Sequence, residues 1–560
     1  MKSNYLITSI LLGTILLQWS CSKKDSNTGG PSGNPTALVL VSAKIGNAGL
    51  SATGTSYGVA VNQPIRLKFN NAVDRASVAG SITLKEKSVT PVTLNFNYEN
   101  SDSTVVVSGA SNLKYITAYL LGLTRSVKSV QGGYLYADQS LRFISNIDSS
   151  DKFPLLTDNA LLDLVQRQTF KYFWDFAHPV SGLARERNSS GETVTSGGSG
   201  FGIMAIPVAV SRGFITRAQA VTRMQTIVGF LKNTAQKFHG AFPHWLNGTT
   251  GAVIPFSAND DGADLVETSY LIQGLITARQ YFDGLDPAET AIRNDINTIC
   301  NGVEWSWFRQ GNQQVLYWHW SPNSGWSMNM AIRGWNECLI TYVMAASSTT
   351  NPIPRTVYDQ GWAQNGALAN NNSYYGYQLP LGSAYGGPLF FAHYSFLGID
   401  PRQLNDPYAN YQTQNTNHSL INFKHCVNNP NSQFGYSNLC WGLTASDIPN
   451  GYSASSPTND LGVIAPTAAL SSFPYTPTES MNALKFFYYK LGDKLWGEYG
   501  FADAFSLKET WFAESTLAID QGPIIVMIEN YRTGLLWNLF TSAPEVKDGM
   551  RNLGFTAPYL

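Results

Sequence analysis

Three short stretches of the chain hold carboxylates in surroundings where their chemistry would be unusual. The segment Asn259-Asp260-Asp261-Gly262-Ala263-Asp264-Leu265-Val266-Glu267-Thr268 spaces Asp260, Asp264 and Glu267 at four and three residues, with no Lys or Arg nearby. On a helix that spacing puts the three acids on one face. Such a face reads as the wall of a cleft that binds hydroxyl groups; the alternative is a cluster that caps the free amides of a first helical turn. Glu337 lies in Arg333-Gly334-Trp335-Asn336-Glu337-Cys338-Leu339-Ile340, where nearly every neighbour is apolar or aromatic. Burial raises a carboxyl pKa, and an acid that stays protonated near neutrality is what breaking a glycosidic bond requires, because the leaving oxygen must receive a proton. An ion pair with Arg333, one turn earlier, is the competing reading. Asp520 precedes Gly522-Pro523, a pair that marks a helix start, so it is expected in the loop before that helix, as a base or as a cap.

The aromatic content fits a surface that stacks on neutral rings. Aromatic residues make up 12% of the chain, and Trp318, His319, Trp320, Trp326, Tyr385, Phe390, His393, Trp441 and Trp511 fall in loops or at helix ends, where the CH faces of a sugar could pack, although each ring taken alone reads first as core. Arg185 and Arg187 could hydrogen-bond its hydroxyls. Only 13% of residues are charged, against about 25% in a typical soluble protein, and the net charge is −1. That composition excludes a nucleic-acid partner, which needs a basic field. No G-x-S-x-G, P-loop or H-E-x-x-H pattern occurs. His239 and His244, the nearest approach to a metal-ligand pair, sit in a loop with Gly240 and Pro243, so neither a metal nor a cofactor is expected.

These residues need elements to position them. The chain of 560 residues begins with Lys2 and an apolar run over residues 5–17, too short to span a bilayer. The run ends at Ser20-Cys21, which resembles a bacterial lipoprotein signal, although Gln18 and Trp19 depart from the usual pattern. The next four residues, Ser22-Lys23-Lys24-Asp25, are similar to those after the lipidated cysteine in exported lipoproteins of Bacteroidetes-type bacteria. The expectation is lipidation at Cys21, a periplasmic or outer-membrane-anchored monomer, and a spacer over residues 22–36. Residues 37–148 alternate in short runs, as in Ile65-Leu67-Phe69, Ile82-Leu84, Val105-Val107 and Leu141-Phe143, which predicts an all-β sandwich. From 152 to 560 the period is helical. Helices are expected after Thr157-Asp158, from Thr216 with Gln219 as a capping box, from about Asp261, from Asp286-Pro287, and over 329–346, 388–397, 417–427, 477–491 and 523–540, with loops lacking clear strand pairing between them. This many helices can close as antiparallel pairs into an (α/α) toroid with a cleft at one rim. Cys300, Cys338, Cys426 and Cys440 have no C-x-x-C spacing and read as buried thiols, with a Cys426–Cys440 disulfide left open.

The sandwich region, with PIRLKFNNAVDRASVAGSITL and TAYLLGLTRSVKSVQGGYL, resembles bacterial Ig-like domains that precede secreted enzymes. The segments NDDGADLVETSYLIQGL, IRGWNECLITYVMAASS, LPLGSAYGGPLFFAHYSFLGIDPR, YGFADAF and LAIDQGPIIVMIENYRTGLLW together resemble the bacterial "putative glucoamylase" family associated with glycoside hydrolase family 144, the β-1,2-glucanases. The resemblance implies an (α/α)6 barrel that hydrolyses β-1,2-glucan with inversion. It also implies that Glu337 is the general acid, Asp520 the base, and Asp260, Asp264 and Glu267 cleft acids. A different glucan, cleaved as by a glucoamylase, and a non-catalytic surface glycan-binding lipoprotein are the competing readings. A polysaccharide lyase is disfavoured because it would need cations to neutralise uronates.

Overall fold

Alternation in the first domain works as a sandwich requires. The computed structural model describes residues 36–560; the signal, Cys21 and nearly all of the spacer lie outside the described residues. Strands β1 (Leu40–Ile45), β2 (Ala48–Gly49), β3 (Thr55–Val59), β4 (Ile65–Phe69), β5 (Ile82–Glu86), β6 (Thr90–Pro91), β7 (Leu94–Glu99), β8 (Thr104–Gly109), β9 (Ala118–Leu123) and β10 (Gln139–Ser145) form two five-stranded sheets. Their orders are β2-β1-β4-β8-β7 and β3-β10-β9-β5-β6. On β4, Ile65, Leu67 and Phe69 face inward while Arg66 and Lys68 face water. They meet Ile82, Leu84, Leu121, Leu141 and Phe143 from the other sheet in one apolar core.

The second domain is a ring of paired helices: α1 (Asp158–Trp174), α2 (Ser196–Ser211), α3 (Arg217–Asn233), α4 (Leu265–Tyr281), α5 (Pro287–Asn301), α6 (Leu339–Ser347), the single turn α7 (Arg355–Val357), α8 (Tyr411–Asn428), α9 (Pro466–Leu470), α10 (Pro477–Lys485), the short α11 (Gly492–Leu495), α12 (Ala518–Arg532), α13 (Leu535–Ser542) and α14 (Pro544–Leu553). The inner ring runs α2, α4, α6, the turns of residues 389–397, α9 and α12, and α12 closes it against α2. Outer elements back it: α1 on α12, α3 and α5 around α2 and α4, α8 on the 389–397 turns, and α10 on α9. The outer helices carry the start signals expected of them. Thr157 accepts the Ala160 N–H at 3.3 Å, Thr216 and Gln219 form a reciprocal capping box, and Asp286 caps α5 ahead of Pro287. Caps of this kind contribute about 1 kcal/mol each.

The inner helices differ, and the reason is burial on every side. In α4 every residue from Leu265 to Ala278 is buried, and in α2 every residue from Ser196 to Ala209. A helix buried all round has no polar stripe, so α2, with its sequence SGGSGFGIMAIPVAVS, gives no periodic signal and is absent from the sequence expectation. Its glycines are spacing devices: a Cβ on Gly200 would lie 2.3 Å from the Tyr270 carbonyl oxygen, so only glycine lets α2 and α4 touch.

Several expected boundaries move. The helix expected over 329–346 begins only at Leu339, 388–397 is short 3₁₀ turns, 417–427 extends back to Tyr411, and the expected 523–540 helix is α12 from Ala518 plus α13. Asp520 therefore sits in the first turn of α12 rather than in the preceding loop. The loops do pair, in one three-stranded and several two-stranded sheets. Cys300, Cys338, Cys426 and Cys440 are free thiols. No helix among the described residues is long and apolar enough to cross a membrane.

The domains touch through a buried isoleucine and an exposed aromatic stack. Ile116, at a left-handed φ of 46° unusual for a β-branched residue, packs into an apolar cluster of the helical domain. Tyr57 stacks on Phe434 with centroids 5.3 Å apart. A chain beginning near Ser150 is expected to fold and to keep the hydrolytic activity that the sequence resemblance implies, with Tm lowered by a few degrees for the roughly 2–4 kcal/mol of burial lost. Calorimetry and a reducing-sugar assay check both; a folded but inactive truncation would show that the sandwich contributes to the site.

Candidate active site

The N-termini of α2, α4, α6 and α12 converge on one rim, and the space between them is a cavity of about 500 Å³. Its walls include Thr195, Glu267, Glu337, Leu517 and Ile519, each at or within a turn of one of those helix starts. Four helix N-termini aimed at one space favour negative charge there. His244, Trp245, Phe256, Trp318, Phe390 and the phenols of Tyr270, Tyr394 and Tyr452 line the rest, with Glu186 and Arg187.

Asp260, Asp264 and Glu267 are brought together, but not as a helical face. Asp264 is the N-cap of α4, where its Oδ1 accepts the Val266 and Glu267 N–H groups at 3.0 and 2.9 Å. Capping and cleft-wall readings were alternatives in the sequence, and the structure gives each acid its own place. Asp260 comes from the preceding loop, and Glu267 projects into the cavity, accepting the Gly197 N–H at 2.8 Å. The Asp264 Oδ2 lies 3.1 Å from His244 Nδ1 and 3.7 Å from His319 Nε2, which is also 3.4 Å from Asp260 Oδ2. Burial alone would raise the Asp264 carboxyl; the His244 hydrogen bond and the two imidazoles bring it below its ordinary value. Burial and the Asp264 charge push Asp260 up. Burial opposes charge on both imidazoles, yet Glu267 and Asp264 carry His244 up to about 9 while His319 stays lowered. His244 is thus the cation of the cluster. His239 does not join it; its ring stacks on Trp307 at 3.5 Å.

Glu337 lies in the turn just before α6. Arg333 donates to the Gln360 carbonyl, and no ion pair to Glu337 forms. Burial, reinforced by Glu267 and Asp264, pushes the Glu337 carboxyl up to about 7. Its backbone carbonyl accepts the Ser395 hydroxyl at 2.5 Å, which fastens the turn to the neighbouring inner segment. Asp520 is 2% exposed and is not among the residues lining the cavity, although the lining Tyr394 and Tyr452 lie near it. Burial, then the nearby Asp503, hold it well above the ordinary carboxylate range.

The aromatic expectations divide. His319 belongs to the acid cluster. Trp320 packs edge-on against Trp307, 5.4 Å away, and Trp318 takes the cavity wall instead. Tyr385 stacks with Tyr374 at 4.3 Å, away from this cavity. Trp511 lines a second cavity that shares Arg187 and Tyr452 with the first. His393 and Trp441 are core: His393 Nε2 pairs with the Ser472 hydroxyl at 3.0 Å, and the fully buried Trp441 donates its indole N–H to the Glu479 carbonyl at 3.2 Å. Arg187 holds Glu186 at 2.9 Å and Asp447 at 3.1 Å, while Arg185 serves backbone carbonyls. Sequence reasoning missed Glu186, Tyr270, Tyr394, Asp447, Tyr452 and Asp503. Tyr270, Tyr394 and Asp503 had a signal, since each lies in one of the segments that carry the family resemblance.

Residues 329–544 match the family described as "Putative glucoamylase", and residues 46–145 match the bacterial Ig-like domain family. A crystal structure of a protein with the same description from Bacteroides uniformis is 58% identical, covers 73% of this chain and 100% of its own, and superposes with a TM-score of 0.72. The chain belongs to this family. A second family structure, the endo-β-1,2-glucanase of Chitinophaga pinensis with sophorotriose and glucose, is 51% identical over 72% of this chain and 100% of its own, with a TM-score of 0.71. An exo β-1,2-glucooligosaccharide sophorohydrolase (non-reducing end) of Parabacteroides distasonis is 46% identical over 427 residues, 72% of this chain. The alignment spans 59% of that longer relative.

Among the described residues, His244, Asp260 and Asp264 are the group whose donor atoms, all within 4.8 Å of one another, could hold a metal ion. The His244 imidazolium already supplies a positive charge between the two acids. Activity is therefore expected to survive EDTA unchanged. A loss reversed by added calcium or zinc would make this trio a metal site.

Proposed function

We propose that the protein hydrolyses β-1,2-glucan with inversion of anomeric configuration, as a lipoprotein tethered through Cys21 to the periplasmic or outer-membrane surface. The observation that supports the chemistry is Glu337, a carboxyl on the cavity wall whose affinity for its proton is raised to about 7, where it can still protonate a leaving oxygen at neutral pH. Substrate and linkage are supported by the activities named for the two family relatives, which act on β-1,2-linked glucose. Trp245, Phe256, Trp318 and Phe390 offer apolar faces to sugar rings, and Glu267, Arg187 and the tyrosine phenols offer polar partners to hydroxyls. Glu337 gives its proton to the glycosidic oxygen while a water attacks the anomeric carbon from the opposite face. Asp520 is the group to which that water's proton finally passes.

The test is incubation with β-1,2-glucan, starch, laminarin and β-1,4-glucan, with products separated by chromatography. Cleavage of β-1,2-glucan to sophorose or short sophorooligosaccharides is expected. Turnover of starch in preference would favour a glucoamylase-type exo-hydrolase, and binding without turnover a surface glycan-binding protein.

A further inference from the structure

Asp503 and Asp520 are each 2% exposed, Asp503 Oδ1 and Asp520 Oδ2 are both buried without a hydrogen-bond partner, and Asp503 is near enough to raise the Asp520 carboxyl. An ionised carboxylate only accepts hydrogen bonds, so two carboxyls can bond only if one carries a proton. The rest of the wiring determines which atoms take part. Asp503 Oδ2 accepts the Asp447 N–H at 2.6 Å, and the Asp503 N–H donates to the Ser515 carbonyl at 2.9 Å. Asp503 Oδ1 and Asp520 Oδ2, the two orphaned oxygens, are the atoms that a shared proton would satisfy. Asp520 itself is held by its main chain, whose carbonyl accepts the Thr467 hydroxyl at 2.8 Å.

We propose that Asp503 and Asp520 share a single proton, and that Asp503 is a positioning residue that keeps Asp520 able to accept a proton from water during hydrolysis. The proposal rests on the hydrolytic reading given above. In the reaction the water O–H bond breaks as its oxygen bonds the anomeric carbon. The C–O bond to the leaving group breaks, and the leaving oxygen takes the Glu337 proton. The water's proton passes finally to Asp520 Oδ1, while the shared proton moves from Asp520 Oδ2 to Asp503 Oδ1, so one negative charge on the pair is neutralised and one appears on Glu337.

The surroundings explain why a partner is needed. Asp447 and Glu186 add negative potential around Asp520, Arg187 is bound up between them, and Tyr394 and Tyr452 present neutral phenols. Asp503 raises the Asp520 carboxyl further, and its own carboxyl can receive the shared proton when Asp520 takes up another.

The test joins carboxyl ¹³C NMR of aspartate-labelled full-length protein with kinetics of Asp503→Asn on β-1,2-glucan. In the wild type, two aspartate resonances should titrate together in linked steps. In Asp503→Asn the amide donates to Asp520, so Asp520 should titrate alone at lower pH. The acidic limb of the kcat/KM profile should move down by about one pH unit or more, and kcat should fall about tenfold or more with KM nearly unchanged. An unmoved acidic limb, or an Asp520 resonance that titrates as in the wild type, would overturn the proposal. If Asp503→Asn does not fold, Asp520→Asn replaces it: the Asp503 resonance must then fall to the ordinary carboxylate range, and its failure to do so counts equally against the pair. A wild type inactive on β-1,2-glucan would refute the hydrolytic reading while leaving the linked titration intact, so the two failures are distinguishable.

Discussion

Glu337→Gln lowers kcat on β-1,2-glucan by about 10² to 10⁴, the range for losing a positioned general acid, and leaves KM within about threefold. The amide keeps the shape of the side chain but has no proton to give. The local fold does not depend on the carboxyl, because the turn is held by the Ser395 bond to the Glu337 main-chain carbonyl and by the Asn336 side chain, which accepts the Cys338 N–H at 2.9 Å. The same residue is expected to set the alkaline side of the pH profile. Burial first, then the charges of Glu267 and Asp264, raise its pKa to about 7. The competent form is the protonated one, so wild-type kcat/KM is full below that value and falls as pH rises through it. In Glu337→Gln this limb disappears. Steady-state kinetics between pH 4 and 9 read out both effects; near wild-type turnover in the variant would remove Glu337 from the mechanism.

Asp520→Asn is expected to cost a similar factor of about 10² to 10⁴ in kcat, for the opposite reason. Here a proton acceptor is lost, so added acid does not restore the rate. Folding survives, since the Thr467 contact is to the Asp520 carbonyl and not to its side chain. Binding is expected to survive as well, because Trp318, Phe390, Tyr394 and Glu267 line the cavity and Asp520 does not. Isothermal titration with a sophorooligosaccharide should therefore give a Kd close to that of the wild type. Proton NMR of the first product settles the stereochemistry: single displacement on a β-linked glucan yields the α-anomer before mutarotation. A β-anomer would mean a covalent glycosyl-enzyme intermediate, and the water-activating role of Asp520 would fall with it.

What could be read from the chain alone depends on which parts face water. Ile65, Leu67 and Phe69 alternate with Arg66 and Lys68 because β4 has one wet side, and the sandwich was legible from that pattern. The same holds for α1, α3 and α5, outer helices with capping residues and an exposed stripe. Glu337 stood out for a related reason, as a charge among residues that could only be interior. In the inner ring α4, α6 and α12 were expected with shifted boundaries, whereas α2 and α9 were not legible this way. α2 has no polar face, and its glycines, which look like a loop in sequence, are what allow Gly200 to meet the Tyr270 carbonyl. Residue type also failed to separate cleft aromatics from core ones: Trp318 lines the cavity, whereas Trp441 and His393 are sealed with internal hydrogen-bond partners. The clearest limit is the wiring of the acids. His244 and Asp264 are 20 residues apart in sequence, and Arg187 and Asp447 are 260 apart. The Asp503–Asp520 contact joins a loop to the first turn of α12. Local sequence reports how each segment partitions between water and the interior, and these pairings depend instead on how the ring closes α12 against α2, which only the packing of all six inner elements decides.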